Sequence, residues 1–399
     1  MLGLVKLHVV VSSLLLIAIG APAPQVHIPS QPVGSPAGMP SLPIPWHTYE
    51  PPAPPGETTV PEVGPFMPAG GVGTDTTPLY RPLSDFDFQS LTLALYQEYI
   101  ELDLFEYGLA KFPATSEFEA AGLTADDRHL IQFMADQEVA HARLLTNIIG
   151  KGVAAQRCTY TYPFASVRDF LDFCQKLTRF GESGVYGFLA HLASRAAANL
   201  LLQSIATEAR QQMAFRQLEG LFPTPVFFEP AISQSMAWTL LAPYVASCPP
   251  DNTRIAWQNF PALTILNNPN ASTLYTLQAN GPGITHDRAP PLSAPGRVVR
   301  LQWESPGLPV GPDRSYTTHT SARGAPAYVA WVSQLNTTYT ALTLAGDSEH
   351  EGTTVQPFDS AISGTMFVAV VDAPTYVTPH NVSVLNEHIV AGPAVYQAS

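Results

Sequence analysis

Acidic residues sit on the apolar stripes of four helical segments of this 399-residue chain. They are Glu98, Glu138, Glu182 and Glu208, and His141 follows Glu138 by one helical turn. Because side chains at i and i+3 project to the same side of a helix, Glu138 and His141 can bind the same ion. A buried ionised carboxylate is costly unless it is paired, protonated or metal-bound. Carboxylate and imidazole together suit iron, manganese or zinc, so the pattern predicts a metal site.

Two further residues define alternatives for the ligand set. Gln211 lies one turn after Glu208, where a His would complete a second Glu-x-x-His pair. An amide oxygen binds iron more weakly than imidazole, so Gln211 is a weak ligand and one of two metal positions depends on it. Glu101 lies one turn after Glu98 but off the apolar stripe. We interpret it as an acid behind the ligands or on the surface, with the alternative that it is the true ligand.

Four helices of similar length must position these residues. The first should stop before Pro113; the second should begin after Thr124 as N-cap and end at Gly150. The third is expected to be interrupted near Gly181 and Gly184. The predicted helices cover residues 85–111, 125–149, 166–193 and 196–218. Matched lengths favour an up-and-down bundle over residues 85–222.

Four segments contain the Glu residues and the Glu-x-x-His pair. They are LALYQEYIELDLFEYGLAKF, ADQEVAHARLL, RFGESGVYGF and IATEARQQMAFRQLEG. These stretches resemble the ferritin-like superfamily, and within it a secreted fungal stress-response branch, with plant desiccation-related proteins as more distant relatives. The resemblance implies a ferritin-like four-helix bundle. It also implies a site for one or two metal ions, iron in the first place, and O2- or peroxide-linked oxidation. Carried over residue by residue, the implied ligands are Glu98, Glu138, His141, Glu182, Glu208 and, weakly, Gln211.

The N-terminus indicates a secreted protein. The apolar run from Val9 to Ile19 is too short to span a bilayer, and Ala18 and Gly20 have the spacing of a signal-peptidase site. We expect residues 1–20 to be a signal peptide cleaved after Gly20. No later segment has 18 consecutive apolar residues, so no transmembrane segment is expected.

Glycosylation sequons and cysteines fit an extracellular location. The sequons, each of which could also be an unused surface Asn, are Asn270, Asn336 and Asn381. Cys174 falls among apolar residues of the third helix and is expected to be a buried thiol. Cys158 and Cys248 lie outside the helices and are the more suitable disulfide pair.

The remaining segments differ in composition from the bundle. Residues 21–84 are rich in Pro, Gly, Ser and Thr, which predicts a disordered leader. Residues 223–295 are Pro- and Asn-rich and are expected to wrap the bundle irregularly. Residues 296–399 should form a small antiparallel, sandwich-like β domain. Its predicted strands are Val298–Trp303, Tyr328–Ser333, Tyr339–Leu344, Thr365–Val371 and Val382–Leu385.

Charge and motifs narrow the choice of function. The net charge is −13 and no basic cluster stands out, so nucleic acid is not an expected partner. One hypothesis is a secreted metal-binding protein of possible di-iron oxidoreductase type, whose tail positions it, with the cell wall as the candidate surface. The alternative is a non-catalytic extracellular stress or cell-surface protein that keeps the bundle as a scaffold, in which the acids are protonated or bonded to Gln. The change from His to Gln at position 211 favours the alternative.

Overall fold

A computed structural model describes residues 77–274, 282–284, 291–346 and 348–399. The expected signal peptide and the leader up to residue 76 lie outside the described residues. What is described belongs to one compact unit.

Six α-helices precede the main sheets, and four of them are long. They are α1 (Asp85–Lys111), α2 (Thr115–Ala120), α3 (Ala125–Ile149), α4 (Val167–Leu189), α5 (Arg195–Leu218) and α6 (Gln234–Leu241). The four long helices, α1, α3, α4 and α5, form the predicted bundle. The short helices α2 and α6 were not predicted.

The long helices begin where short polar side chains can accept backbone N–H groups. Ser84 caps α1 by accepting from the Asp87 N–H, and Thr124 caps α3 in the same way with Asp127. Ser166 and Ser194 cap α4 and α5. These caps satisfy donors that a helix end would otherwise leave free, which explains why the predicted starts agree closely with the observed ones.

The predicted interruption of the third helix is wrong. Helix α4 is continuous from Val167 to Leu189 and ends four residues before the predicted end. Its glycines serve packing instead: a Cβ on Gly181 would lie 2.5 Å from Gln97 Nε2, and one on Gly184 would lie 2.9 Å from the Ala237 Cβ. Both glycines therefore let neighbouring helices approach α4 closely.

The chain after the bundle forms antiparallel sheets, as the sequence predicted. The strands are β1 (Thr159–Tyr160), β2 (Val245–Ser247), β3 (Leu263–Ile265), β4 (Val298–Trp303), β5 (Pro309–Val310), β6 (Tyr316–Thr317), β7 (Tyr328–Ser333), β8 (Asn336–Ala341), β9 (Thr343–Leu344), β10 (Glu351–Val355), β11 (Thr365–Val371) and β12 (Ile389–Gln397). Two four-stranded sheets have the orders β3-β4-β10-β9 and β12-β11-β7-β8. The pairs β1-β2 and β5-β6 are small separate ribbons.

The two main sheets are stacked, and one of them also covers the helices. On one face of β7 and β11, Val329 and Val368 pack with Leu301 of the other sheet. On the opposite face, Val332 and Phe367 belong to the same apolar core as the bundle. Every residue of β11 is buried, as expected for a strand covered on both sides.

Two of the predicted strands need correction. Val382–Leu385 is wrong as a strand, because Val382–Glu387 forms a 3-10 helix that buries Val382 and Leu385, three residues apart, on one side. The strand predicted at Tyr339–Leu344 starts earlier, at Asn336. Ser333 pairs directly with Asn336, so a two-residue turn with Gln334 at φ 48° leads straight into β8.

The segment between bundle and sheets contains more regular structure than its composition indicated. Residues 223–295 include α6, β2 and β3. A disulfide joins Cys158 to Cys248, the two cysteines that we paired from the sequence, while Cys174 is a buried thiol. Among the helices of the described residues, none has the length and apolar character needed to cross a membrane.

Candidate metal centre

Three helices bring four of the predicted ligands together inside the bundle. Glu98 comes from α1, Glu138 and His141 from α3, and Glu208 from α5. One ligand atom of each lies within 4.8 Å of those of the others. The sequence therefore identified residues from distant parts of the chain that meet in one place.

Apolar residues one turn before and after these polar residues bury them in the bundle. Leu95 and Leu102 flank Glu98 by one turn on α1, and Met134 and Leu145 flank the Glu138–His141 pair on α3. All four flanking side chains are buried. The polar groups are therefore held in the middle of the hydrophobic core, away from bulk water.

His141 lies at the centre of the carboxylates. Its Nδ1 is 2.9 Å from Glu138 Oε2, 3.4 Å from Glu98 Oε2 and 3.9 Å from Glu208 Oε1. Burial lowers the pKa of His141, but the carboxylates of Glu138 and Glu98 outweigh burial and raise that pKa to about 11. The raised pKa of His141 therefore reflects the negative charge of the carboxylates around it.

The pKa values of two acids in the cluster are raised. Burial raises the pKa of Glu98 to about 7, although His141 counteracts part of this effect. Burial also raises the pKa of Glu208 well above its usual value, with further contributions from Glu98, Glu101 and Glu138. Such a group of acids is stabilised when a cation enters among them.

Gln211 lies at the cluster in a different role from the one expected. Its Nε2 donates to Glu138 Oε1 at 2.5 Å and to Gln137 Oε1 at 3.2 Å. The oxygen that could bind a metal, Oε1, has no hydrogen-bond partner among the described residues. Gln211 thus holds the Glu138 carboxylate in place and keeps one weak donor atom free.

Glu101 is not on the surface. It is completely buried on α1, and Gln97 Nε2 donates to its Oε1 at 2.8 Å. Burial and the nearby carboxylates of Glu138 and Glu98 raise the pKa of Glu101 well above its usual value. The interpretation as a surface acid is therefore wrong, and Glu101 is an additional acid next to the cluster.

Glu182 faces a partner that the sequence analysis did not consider. Its carboxylate is buried, and Oε2 lies 3.1 Å from Arg179 Nη1. Arg179 also pairs with Glu229 from the segment after α5. Glu182 is not among the four residues whose ligand atoms converge. The spacing of Arg179 one turn before Glu182 was the available signal for this pair.

The donor set fits a metal ion. Glu101 Oε2 and Glu182 Oε1 are buried and lack a hydrogen-bond partner within the described part of the chain, and Glu98 Oε2 makes no hydrogen bond beyond its 3.4 Å contact with His141 Nδ1. Buried acceptors without partners are rare in folded proteins because each one is costly. A cation bound by Glu98, Glu138, His141 and Glu208 would remove this cost, and hard oxygen donors with one imidazole suit iron, manganese or zinc.

The three sequons differ in accessibility. Asn336 is exposed at the start of β8, whereas Asn270 and Asn381 are partly buried. The Asn381 Nδ2 donates to the Tyr376 carbonyl oxygen at 3.3 Å, and its Oδ1 accepts from the Thr378 N–H at 2.6 Å. Asn336 is therefore the most accessible of the three side chains.

Comparison with known proteins agrees with this architecture. Residues 86–221 match the family model described as Ferritin-like domain. The chain is also similar to Protein rds1 of Schizosaccharomyces pombe, with 51% identity over 355 residues that cover 84% of this chain and 86% of the relative. The chain therefore belongs to the family of Protein rds1 and contains a ferritin-like domain at residues 86–221.

Proposed function

We propose that this protein is a secreted ferritin-like protein that binds metal, with iron as the first candidate, through Glu98, Glu138, His141 and Glu208. The observation that carries the proposal is the convergence of these four ligand atoms within 4.8 Å. Carboxylate oxygens without partners at the same place support it. A structural ion-pair network would satisfy those oxygens with protein donors instead.

The chain would contribute position and charge to an O2- or peroxide-linked oxidation. Bound iron would supply the change of oxidation state that such a reaction requires. Glu98, Glu138 and Glu208 would hold it, and Gln211 would keep the Glu138 carboxylate oriented through its 2.5 Å hydrogen bond. The surrounding apolar side chains would exclude water from the site.

A non-catalytic scaffold is the second candidate function. It is supported by Gln211 at the position of a His and by the pairing of Glu182 with Arg179. Both features reduce the ligands available to a second metal. In this case the bundle would serve a stress or surface role without oxidation chemistry.

Elemental analysis separates metal binding from a metal-free bundle. The secreted protein, purified without chelator, should contain metal, and the double variant Glu138→Ala, His141→Ala should lose it. The matched control is Asp136→Ala, His129→Ala, which removes one acid and one His from the exposed positions of the same helix. A folded protein that neither contains metal nor takes up Fe(II) would contradict the proposal. Fe(II) oxidation under O2 by a metal-loaded protein then distinguishes the enzyme from the scaffold.

Secretion is a separate part of the proposal. The Cys158–Cys248 disulfide supports it, since such bonds persist in oxidising compartments. N-terminal sequencing of protein from the culture medium should begin at Ala21. Retention of residues 1–20 on a protein that stays in the cytosol would contradict this part alone.

A further inference from the structure

We infer that Arg179 takes the place of a second metal ion, so that this bundle holds a single metal at Glu98, Glu138, His141 and Glu208. The inference rests on the proposed metal binding and specifies its stoichiometry. It also makes Arg179 a residue that determines how much metal the protein binds.

Glu182 has a protein cation as its partner. In the ferritin-like pattern it would be the ligand supplied by the third bundle helix, but here its Oε2 lies 3.1 Å from Arg179 Nη1. Both side chains are buried, at 0% and 4% exposure for Glu182 and Arg179. An Arg remains charged under all ordinary conditions, so the partner of Glu182 is a permanent cation.

Arg179 has a second partner from the segment after α5. Glu229 pairs with the same Nη1 atom. The segment that carries Glu229 is attached to α4, because the Ile232 N–H donates to the Ser183 carbonyl oxygen at 3.0 Å. Glu229 therefore gives Arg179 a second carboxylate partner beside α4.

The groups left for a second ion are poor ligands. Gln211 is neutral and already donates its N–H to Glu138. Arg179 pairs with one oxygen of Glu182 and leaves Oε1 without a hydrogen-bond partner among the described residues, but beside a permanent positive charge that opposes a second cation, and Gln97 donates to one oxygen of Glu101. One ion among three carboxylates and one imidazole is the arrangement that these contacts favour.

Titration with Co(II), which substitutes for other divalent ions, tests the stoichiometry without any assay of activity. The full secreted chain is stripped with chelator and titrated while visible absorption is recorded. Metal per chain is then counted by elemental analysis after desalting. The wild type should saturate at about one ion per chain, since four ligands hold one tetrahedral or five-coordinate ion.

The decisive variant is Arg179→Met, which frees Glu182 while retaining the apolar stem. It should bind about two ions per chain, because Glu182 becomes an unpaired carboxylate beside the cluster. Arg179→Lys keeps the charge and should stay at one. Arg179→Met combined with Glu182→Gln removes the freed ligand and should also stay at one.

A further variant keeps the test valid if Arg179→Met fails to fold. Glu182→Gln in the wild-type background should leave Co(II) affinity within about threefold, because Glu182 is not a ligand. Glu208→Gln should weaken it by about tenfold or more, because Glu208 is one.

The outcomes separate this inference from the proposed function. A wild type that binds two ions, or a folded Arg179→Met variant that binds one, overturns the role of Arg179 and leaves metal binding intact. A large loss of affinity in Glu182→Gln does the same. A wild type that binds none overturns both.

Discussion

Among the buried polar groups in the described part of the chain, two differ in how their hydrogen bonds are satisfied. At the contact between bundle and sheet, Gln175 Nε2 donates to Thr365 Oγ1 at 2.7 Å and to Gln212 Oε1 at 3.1 Å. Gln397 Nε2 donates to Gln175 Oε1 at 3.2 Å. At the candidate metal centre, acidic oxygens converge without enough donors.

The comparison shows what distinguishes a structural polar network from a binding site. The amide network consists mainly of groups that both donate and accept, so most of its members complete one another across α4, α5 and the sheet, although Gln397 Oε1 has no hydrogen-bond partner among the described residues. Ionised carboxylates only accept, and a group of them in the core needs protons or a cation from outside. Changes in the network should therefore lower the free energy of unfolding, and changes in the candidate metal centre should alter metal binding.

The largest effect should come from breaking the amide network. Gln175→Ala removes hydrogen bonds to Thr365, Gln212 and Gln397 and leaves a cavity. We expect a loss of about 3–4 kcal/mol in the free energy of unfolding, measured by urea denaturation in chelator. Gln203→Ala, at an exposed position of α5, is the control. A Gln175→Ala protein of unchanged stability would mean that the network is not structural.

The next effect concerns the metal centre. Metal at about 100 times its dissociation constant should stabilise the wild type by about 2.7 kcal/mol, and chelator should reverse the gain. Glu208→Gln removes one buried acid, so the metal-free protein should become more stable, by about 1–3 kcal/mol, and the stabilisation by the same metal concentration should fall by about half or more. Thermal unfolding with and without metal measures both changes, and exposed Glu119→Gln is the control. A preserved metal response in Glu208→Gln would remove Glu208 from the ligands.

A smaller effect should depend on pH. Asp87 is buried and accepts from the backbone N–H groups of Leu83, Ala193 and Ser194. Burial opposes ionisation, but these hydrogen bonds outweigh it and lower the pKa of Asp87. Because the folded pKa lies below the unfolded one, the stabilisation is present above the unfolded value of about 3.8–3.9 and is lost as pH falls through the folded one.

The variant Asp87→Asn tests this directly. It should cost about 1–2 kcal/mol near neutral pH, and the difference from wild type should shrink as the pH falls below 4. Urea denaturation at several pH values measures it, with exposed Asp136→Asn as the control. A difference that stayed constant down to pH 2 would show that ionisation of Asp87 is not the cause.

The smallest effect should come from charges that stay in water. Arg157 pairs with Asp103 at 2.8 Å and with Glu106 at 2.7 Å on the surface of α1. Arg157→Ala should cost less than about 1 kcal/mol, and less still in high salt, because solvent screens exposed pairs. A loss of unfolding free energy as large as that of Gln175→Ala would mean that exposed charge pairs stabilise this protein as much as the buried amide network does.

The sequence by itself determined the bundle and most of the candidate site. Helix caps such as Thr124 and apolar stripes are local signals, and they predicted the long helices closely. Glu98, Glu138, His141 and Glu208 could be found because a costly acid in the middle of an apolar stripe requires an explanation. Strands such as β12 were missed because Gly392 and Pro393 interrupt the local pattern.

Only the tertiary structure decided which neighbour each buried group meets. Helical periodicity places Glu182 on the inner side of α4, but it does not tell whether a metal or Arg179 lies opposite. The same holds for Glu101, which lies off the stripe of α1 yet is completely buried by packing. Partners such as Glu229 come from segments far apart in sequence, so their contacts depend on how the chain returns to the bundle.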